Sequence, residues 1–302
     1  MKLLICDPTD PASVETMRQA GIEVDVQDAI TPEELEAVVG HYDAIVVRSR
    51  TKVTAAVIDK GLPRLKLIIR GGVGVDNIDV KHAEAKGVEV RNTPAASSNS
   101  VAELTIGFMF ALARQIPQMN QTMKEGRWEK KAFSKGSELA GKTLGLIGCG
   151  RIGALVAQKA AALGMRVLFF RRTPAELPGA EQVSLEELLA QSDFISLHVP
   201  LTDETRHIID AAAIARMKKG VYIINCGRGG TIDEAALYDA IVSGHVAGAA
   251  LDVYEDEKVE QGRRFKDLPQ VIGSPHVGAG TKEASARVGA EVAQIAIEVA
   301  RR

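Results

Sequence analysis

Three ionisable residues in the second half of the chain could carry acid–base chemistry: Arg228, Glu257 and His276. Each lies a few residues after a short apolar run that is predicted to be a strand. Ligands of open parallel sheets bind beyond the carboxyl ends of the strands, so these three side chains can converge on one place. A histidine titrates near working pH and can take up or return a hydroxyl proton.

The other two residue types complement that histidine. A carboxylate bonded to the imidazole would orient it and favour its protonated form, and a guanidinium can hold a substrate carboxylate through paired N–H groups. The set therefore suits hydride exchange at a hydroxyl-bearing carbon. Singly, Arg228 and Glu257 are equally well explained as solvated charges and His276 as a loop residue, but their joint placement favours catalysis.

A glycine-rich turn upstream offers a place for a hydride carrier. Residues 142–153 read Lys-Thr-Leu-Gly-Leu-Ile-Gly-Cys-Gly-Arg-Ile-Gly, in which Gly148, Gly150 and Gly153 have GxGxxG spacing. The first glycine permits a tight turn, the second lets the backbone approach a pyrophosphate, and the third packs helix against strand. Free N–H groups and the positive end of the helix dipole then face the anion. Because the motif follows an apolar strand and precedes a helix former, it favours dinucleotide binding over an ordinary turn.

The first 93 residues alternate apolar runs with helical patterns, which predicts a parallel sheet covered by helices on both faces. The predicted strands are Leu3–Cys6, Val24–Val26, Ala44–Val47, Leu65–Ile69 and Val88–Val90. The predicted helices are Pro11–Ala20, Pro32–Val39, Val53–Lys60 and Val80–Lys86.

A second series follows a predicted loop, Pro94–Ser100, and one long predicted helix, Val101–Lys124, interrupted near Pro117. Its predicted strands are Thr143–Ile147, Val167–Phe170, Phe194–Leu197, Val221–Asn225, Ala247–Leu251 and Val271–Ile272, and an amphipathic helix covers Lys282–Arg302. We therefore predict two doubly wound parallel-sheet α/β domains. A flavodoxin-like substrate-binding domain would comprise residues 1–95 and 280–302, and a Rossmann dinucleotide-binding domain residues 96–279, with the site in the cleft between them.

Composition excludes several classes of function. The 302 residues are 46% hydrophobic and 25% charged, as in soluble globular proteins, and a net charge of -2 gives no reason to expect nucleic acid or a membrane as partner. The N-terminus lacks a signal-peptide apolar region, and the longest apolar run, Leu104–Ala113, is too short to span a bilayer. Three cysteines without metal spacing predict no metal site and a reducing cytoplasm.

Four motifs in this order resemble the D-isomer-specific 2-hydroxyacid dehydrogenases, over essentially the whole chain. They are Gly148-Cys149-Gly150-Arg151-Ile152-Gly153, Asn225-Cys226-Gly227-Arg228-Gly229, Leu251-Asp252-Val253-Tyr254 through Glu257, and Ser274-Pro275-His276. The resemblance implies that His276 is the acid/base, Glu257 its partner and Arg228 the substrate anchor. It also implies cofactor contacts from Val73, Gly148, Gly150, Arg151, Ile152, Gly153, Arg171, Arg172, His198, Val199, Pro200, Thr205, Cys226, Gly227, Arg228, Asp252, His276, Gly278 and Ala279.

Within that family the N-terminal region is most similar to the phosphoglycerate-oxidising members. The similar stretches begin at Val47, Gly71 and Asn92. The resemblance implies that backbone N–H groups of the loop Gly72–Gly74 hold the substrate carboxylate, which glycines suit because consecutive amides can turn toward an anion. The substrate-binding residues would be Arg48, Arg70, Gly72, Val73, Gly74, Arg228 and His276, with the first two arginines as candidates for a phosphate.

Two positions depart from the family pattern. The fold normally carries an acid about 20 residues beyond the glycines to bond the ribose 2′-hydroxyl. Here the strand ends in Arg171-Arg172, and no Asp or Glu occurs between Gly153 and Glu176. Because arginine suits a 2′-phosphate, we expect NAD or NADP as cofactor, with NADP accepted. The second departure is Lys258, where the family commonly has proline.

Three functions remain open from the sequence. The first is oxidation of 3-phosphoglycerate to 3-phosphohydroxypyruvate in serine biosynthesis, and the second is reduction of hydroxypyruvate, glyoxylate or another small 2-keto acid. The third is a dinucleotide-sensing protein without turnover, which the intact Arg228, Glu257 and His276 argue against. By resemblance we expect a homodimer, and because the sequence holds one helix beyond His276 we expect no feedback inhibition by serine.

Overall fold

The structure, a computed structural model, describes residues 1–257 and 262–302. The chain divides into two compact units. The first unit comprises Met1–Ser98 and Ala279–Arg302, and the second unit comprises Asn99–Gly278. It stays a prediction that the first unit binds the substrate and the second unit binds the dinucleotide. Lys258 lies outside the described residues.

The first unit is built on five parallel strands in the order β2-β1-β3-β4-β5. The strands are β1 Lys2–Ile5, β2 Glu23–Val26, β3 Ala44–Val47, β4 Leu67–Arg70 and β5 Glu89–Asn92. The helices are α1 Pro11–Gln19, α2 Pro32–Val38, α3 Ala55–Gly61, α4 Val80–Ala85 and, at the C-terminus, α11 Lys282–Ala300, and a 3₁₀ turn covers Val39–His41.

Alternation along the strands gives this sheet two buried faces. Leu3 and Ile5 pack with α1 and α11, whereas Leu4 packs with α2, α3 and α4 on the opposite face. The second helix begins as its sequence predicts, because Thr31 and Glu34 form a reciprocal capping box. Helices on both faces leave the carboxyl ends of the strands as the edge at which loops can carry function.

The second unit is built on seven parallel strands in the order β12-β11-β10-β9-β6-β7-β8. The strands are β6 Thr143–Ile147, β7 Arg166–Phe170, β8 Ala180–Gln182, β9 Phe194–Leu197, β10 Val221–Asn225, β11 Val246–Leu251 and β12 Val271–Gly273. The helices are α5 Ser98–Arg114, α6 Ile116–Lys124, α7 Arg151–Ala162, α8 Leu185–Gln191, α9 Ala211–Ala215 and α10 Glu234–Val242, and a 3₁₀ turn covers Gly262–Phe265. The order reverses between β6 and β9, the switch point at which such sheets bind ligands.

The predicted fold class, two doubly wound parallel-sheet domains, is confirmed, and two local features differ from the sequence prediction. The predicted interruption of Val101–Lys124 near Pro117 is confirmed: the segment is two helices, because Pro117 lacks the N–H that an unbroken helix needs and Gln115 takes a left-handed conformation with φ of 53°. The first of these helices begins at Ser98, inside the predicted loop. Strand β8 was not predicted, since Ala180-Glu181-Gln182 has no apolar alternation. Among the described helices, none is both long and apolar enough to cross a bilayer.

Candidate active site

His276 and Glu257 form a hydrogen-bonded pair in the second unit. His276 Nδ1 lies 2.7 Å from Glu257 Oε1, and the two side chains are 41% and 52% exposed. The histidine has a φ of 52°, a conformation that non-glycine residues rarely adopt outside functional or strained sites. The predicted acid/base and its predicted partner are therefore in contact.

Asp252 holds the loop that carries the histidine. Its carbonyl accepts the His276 N–H at 2.8 Å, and its carboxylate accepts the N–H groups of Val277 and Gly278, each at 2.8 Å, together with the Ser274 hydroxyl. The Asp252 side chain is buried. A Cβ added at Gly278 would lie 2.9 Å from Asp252 Oδ2, so glycine lets the backbone reach this carboxylate. Asp252 was predicted to contact the cofactor, and in the structure its carboxylate binds the loop that carries His276.

The loop after β10 carries Arg228 and is fixed by Asn225. The Asn225 amide donates to the Arg228 carbonyl at 2.9 Å and accepts the Gly227 N–H at 3.0 Å. Arg228 itself donates from Nη1 to the Gly227 carbonyl at 2.8 Å. A Cβ added at Gly229 would lie 1.7 Å from the Tyr254 carbonyl oxygen, so this loop packs directly on the segment that leads to Glu257.

Strands β10, β11 and β12 are neighbours in the sheet, and each precedes one of the predicted catalytic residues. Arg228 follows β10, Glu257 follows β11 and His276 follows β12. The structure thus places all three at one edge of the second sheet, as the sequence predicts. Their catalytic roles stay a prediction.

The glycine turn has the geometry of an anion cradle. Gly148 has a φ of 91°, and a Cβ there would lie 2.8 Å from the His198 carbonyl oxygen, while a Cβ at Gly153 would lie 2.6 Å from the Gly148 carbonyl oxygen. By contrast, a Cβ at Gly150 would meet nothing within 4 Å among the described residues, so the space over it is open. Helix α7 begins at Arg151 without a side-chain cap in the described structure, leaving its first N–H groups for an anionic ligand.

The loop after β9 borders this cradle. His198 donates its backbone N–H to Ile147 at 2.8 Å, and Val199 Cγ1 would lie 2.7 Å from a Cβ at Gly148. The His198 ring lies 2.9 Å from Ser196 Oγ through Nε2, and burial lowers the pKa of His198 to about 4. The imidazole is therefore neutral at physiological pH.

Thr205 is also predicted to contact the cofactor, from the same loop. Its hydroxyl donates to the Pro200 carbonyl at 2.6 Å and accepts the Thr202 N–H at 2.8 Å. The hydroxyl therefore holds the loop that follows β9, and through it the position of Val199 and Pro200.

Arg171 and Arg172 follow β7 on an exposed loop. Arg171 Nη2 donates to Thr173 Oγ1 at 2.9 Å. Gln182 of β8 donates to the carbonyls of Arg171 and Thr173 and accepts the Ala175 N–H, so the strand that was not predicted shapes this loop. Burial raises the pKa of Cys149, and the nearby positive charge of Arg171 opposes part of that rise. Arg171 therefore lies near the glycine turn.

Cys226 is buried, and burial raises its pKa to about 12. The same holds for Cys6 in the first unit. Both are packed as small apolar residues, which is how we interpret them. Within residues 1–257 and 262–302, no group of three His, Cys, Asp or Glu side chains could hold a metal ion.

In the first unit, the predicted substrate residues lie at the carboxyl ends of β3 and β4, which are neighbouring strands. Arg70 Nη1 donates to the Gly71 carbonyl at 2.8 Å, and a Cβ at Gly72 would lie 1.4 Å from that nitrogen. The guanidinium therefore lies directly against the glycine loop. Asn92 supports the loop from β5 by donating to the Val73 carbonyl at 2.6 Å.

Arg48 approaches the same loop from β3. A Cβ at Gly71 would lie 3.4 Å from Arg48 Cγ, and Arg48 Nη1 donates to the Pro8 carbonyl at a long 3.4 Å. Arg48, Arg70 and the loop Gly72–Gly74 are thus brought together within the first unit. Ala279 begins the C-terminal part of that unit, one residue after Gly278.

Residues 106–278 match the family model described as D-isomer specific 2-hydroxyacid dehydrogenase, NAD binding domain. The chain belongs to this family. It is 50% identical over 293 residues to the hydroxypyruvate reductase of Thermotoga maritima, covering 95% of this chain and 94% of that protein. It is 49% identical over 299 residues to the D-3-phosphoglycerate dehydrogenase of Methanocaldococcus jannaschii, covering 97% of this chain but only 56% of that protein.

Among solved structures, an acyclic imino acid reductase in complex with NADPH and D-Arg superimposes with a TM-score of 0.91 at 30% identity, covering 100% of this chain and 98% of that one. This D-2-hydroxyacid dehydrogenase is therefore an oxidoreductase that acts on a CH–OH group with a nicotinamide dinucleotide. The predicted family, fold and enzyme class are confirmed, and the relatives differ in the substrate that their names give.

Two residues of this dehydrogenase stand in a motif of the sequence analysis, but their supporting roles were not predicted. Asn225 orders the Arg228 loop, and Gly229 lets that loop meet Tyr254. An Asn at a strand end before a glycine run is a usable signal, since Asn commonly bonds the backbone two residues on. The contact at Gly229 joins segments 25 residues apart and leaves no local signal.

Proposed function

We propose that the protein is a D-3-phosphoglycerate dehydrogenase that interconverts 3-phosphoglycerate and 3-phosphohydroxypyruvate in serine biosynthesis. The observation that carries the proposal is that Arg48 and Arg70 both lie beside the glycine loop. The loop's backbone N–H groups suit a carboxylate, and two guanidinium groups suit a second anion such as a phosphate. A substrate with both anions uses the whole arrangement.

The catalytic step follows from the His276–Glu257 pair. Because Glu257 engages Nδ1, the proton of the substrate hydroxyl passes to Nε2 during oxidation and returns from it during reduction. The carboxylate stabilises the imidazolium formed by proton uptake, and Arg228 would hold the substrate carboxylate or polarise the keto oxygen. A bound nicotinamide supplies the hydride acceptor, and the N–H groups at the start of α7 would hold the pyrophosphate.

The first experiment tests turnover itself. Purified protein is assayed with phosphohydroxypyruvate, hydroxypyruvate and glyoxylate, each with NADH and NADPH, beside His276→Ala. We expect turnover that falls at least 10³-fold in the variant while nucleotide binding is retained, since the histidine is the only proposed proton carrier. Nucleotide binding without turnover on the whole panel would instead indicate a sensing protein.

The second experiment tests the phosphate. We expect Arg48→Gln and Arg70→Gln to lower kcat/KM for phosphohydroxypyruvate by about 10-fold or more. The value of kcat/KM for hydroxypyruvate should change much less, because only the first substrate carries the phosphate. Arg64→Gln is the matched control, since Arg64 lies in the same unit and pairs with Asp43 on the surface. Equal loss on both substrates would reject a phosphate role for the two arginines.

Reduction of hydroxypyruvate, glyoxylate or another small 2-keto acid is the second candidate. It is favoured by the Thermotoga relative, which is matched over 94% of its length, and by the arginines after β7, because reductive enzymes often use NADPH. A kcat/KM for hydroxypyruvate that exceeds the value for phosphohydroxypyruvate would decide for it. The same panel therefore separates the two candidates.

We further propose that NADP is accepted as well as NAD, through Arg171 and Arg172. Neither arginine has an acidic residue beside it in the sequence, and Gln182 orders the loop that carries them. We expect Arg171→Gln and Arg172→Gln to lower kcat/KM for NADPH about 10-fold and to leave NADH nearly unchanged. Arg166→Gln, at the other end of β7, is the control. A strong NADH preference in the wild type would reject the proposal.

The enzyme is also proposed to be a cytoplasmic homodimer. Phe110 on α5 and Met123 on α6 are exposed apolar side chains on consecutive helices, which supports an interface there. Light scattering of the wild type and of a Phe110→Lys, Met123→Lys variant measures the mass directly. A monomeric wild type would contradict the dimer.

A further inference from the structure

Three side chains outside the proposed catalytic set join the three loops that follow β9, β10 and β11. They are His207, Glu234 and Glu255, and we call them the loop-bracing cluster. His207 lies in the loop after β9, Glu234 begins α10 after β10, and Glu255 lies two residues before Glu257. No part of the proposed chemistry uses any of them directly.

The two acids exchange hydrogen bonds between backbone and side chain. The Glu255 N–H donates to Glu234 Oε1 at 2.7 Å, and the Glu234 N–H donates to Glu255 Oε1 at 3.1 Å. Glu234 is buried, which raises its pKa, and the nearby Glu255 charge raises it further. A buried acid is expensive unless its oxygens are bonded, so its contact with the Glu255 backbone is a fixed point of the fold.

His207 ties the third loop to the same carboxylate. Its Nε2 lies 3.1 Å from Glu255 Oε1, and its own N–H donates to the Gly230 carbonyl at 2.9 Å. The histidine has a φ of 49°, so its backbone is held in a conformation that it would rarely adopt alone. One carboxylate, that of Glu255, thus connects its own loop to the loops that follow β10 and β9.

This arrangement determines where Glu257 can be. At Tyr254 the chain is in contact with Gly229, and at Glu255 it is held by Glu234, so the two residues before Asp256 are both anchored to the Arg228 side of the sheet. Glu257 comes two residues after Glu255, and its Oε1 lies 2.7 Å from His276 Nδ1. A shift of about 1 Å in a catalytic group can cost about 10²-fold in rate.

We propose that Glu234 and Glu255 are positioning residues, which act on the reaction by holding Glu257 against His276. The inference rests on the proposed function, since it requires that Glu257 assists His276 in turnover. It predicts that the two acids affect kcat more than nucleotide binding, because the glycine turn and α7, the proposed pyrophosphate site, follow β6 and not the strands whose loops the cluster joins.

The test measures kcat, KM and nucleotide affinity by NADH fluorescence for Glu234→Ala, Glu234→Gln, Glu255→Ala and Glu255→Gln. We expect the alanine variants to lose about 10-fold or more in kcat and to lose much less in nucleotide affinity. The glutamine variants keep an amide oxygen that accepts the same backbone N–H, and they should recover most of that loss. Asp239→Ala is the control, because Asp239 is an exposed acid on α10.

A second background separates positioning from general destabilisation. In an enzyme that already carries Glu257→Ala, we expect Glu255→Ala to cause little further loss in kcat, since both changes disable the same contact. Wild-type kcat in the alanine variants, or an equal additional loss in the Glu257→Ala background, would overturn the inference. Absence of turnover in the wild type would instead contradict the proposed function, so the two failures are distinguishable.

Discussion

His198, which lies beside the glycine turn, is expected to make the stability of the enzyme depend on pH. Burial lowers the pKa of His198 from its ordinary 6.5 to about 4. A histidine with a depressed folded-state pKa binds its proton more readily in the unfolded chain. The stability it contributes is therefore complete above pH 6.5 and is lost as the pH falls toward 4.

The size of the effect follows from the same two values. The full difference between the two pKa values corresponds to at most about 3.4 kcal/mol in the free energy of unfolding, of which about 2 kcal/mol is lost between pH 7.5 and pH 5. In His198→Gln the glutamine side chain cannot take up the proton. That variant can be less stable at pH 7.5, because packing changes, but its stability should fall with pH by about 2 kcal/mol less than that of the wild type.

The assay is urea unfolding at both pH values, followed by circular dichroism because the only tryptophan, Trp128, is 79% exposed and reports poorly on folding. The remaining histidines titrate in both proteins and cancel in the comparison. His41→Gln is the control, because His41 is exposed and should show the wild-type dependence. Equal losses of stability in the wild type and in His198→Gln would refute the assignment of a buried neutral imidazole.

Three further predictions concern the loops and the thiols of the second unit. Gly229→Ala should lower the free energy of unfolding by about 1–3 kcal/mol and reduce kcat, because the added Cβ would collide with the Tyr254 carbonyl. Gly107→Ala is the control, measured by the same urea and rate assays, and should change neither quantity because the space around Gly107 is open. Asp252→Asn should lower the free energy of unfolding by about 1–3 kcal/mol and reduce kcat, since an amide NH₂ cannot accept one of the two N–H groups that the carboxylate accepts; unchanged urea midpoint and rate would contradict this. A thiol reagent at pH 8 should modify Cys149 before Cys226, because the pKa of about 12 keeps Cys226 protonated, and NADH should slow the reaction at Cys149. Mass spectrometry of tryptic peptides measures both rates, and fast labelling of Cys226 would contradict this prediction.

Local patterns were enough to predict the cradle and the placement of the catalytic candidates. Strand, glycine turn and helix around Gly148 follow each other directly in the sequence, and the structure has them in that order. Arg228 and His276 were predicted to converge because each follows an apolar run, and parallel strands end at one edge of a sheet. Both inferences need only the period of the pattern and the direction of the strands.

Contacts between segments that are distant in the sequence could not be predicted from such local patterns. Strand β8 is too polar to show a pattern, yet its Gln182 shapes the Arg171 loop through backbone bonds. Asp252 reads as a cofactor residue by resemblance, whereas its carboxylate is occupied by the loop of His276. Glu234 and Glu255 lie 21 residues apart, and nothing in their surroundings in sequence indicates that they meet.

The second unit separates the groups that react from the groups that hold them. The side chains of His276 and Glu257 are about half exposed, as a substrate that must enter and leave requires, whereas Asp252 and Glu234 are 1% and 4% exposed. A half-exposed contact between a carboxylate and an imidazole is worth little by itself and would not keep its geometry. Because each partner of this pair is on a loop fixed by a buried carboxylate bonded to backbone N–H groups, its 2.7 Å contact does not depend on its own strength. Loss of either buried acid should therefore damage catalysis even though neither belongs to the proposed catalytic set.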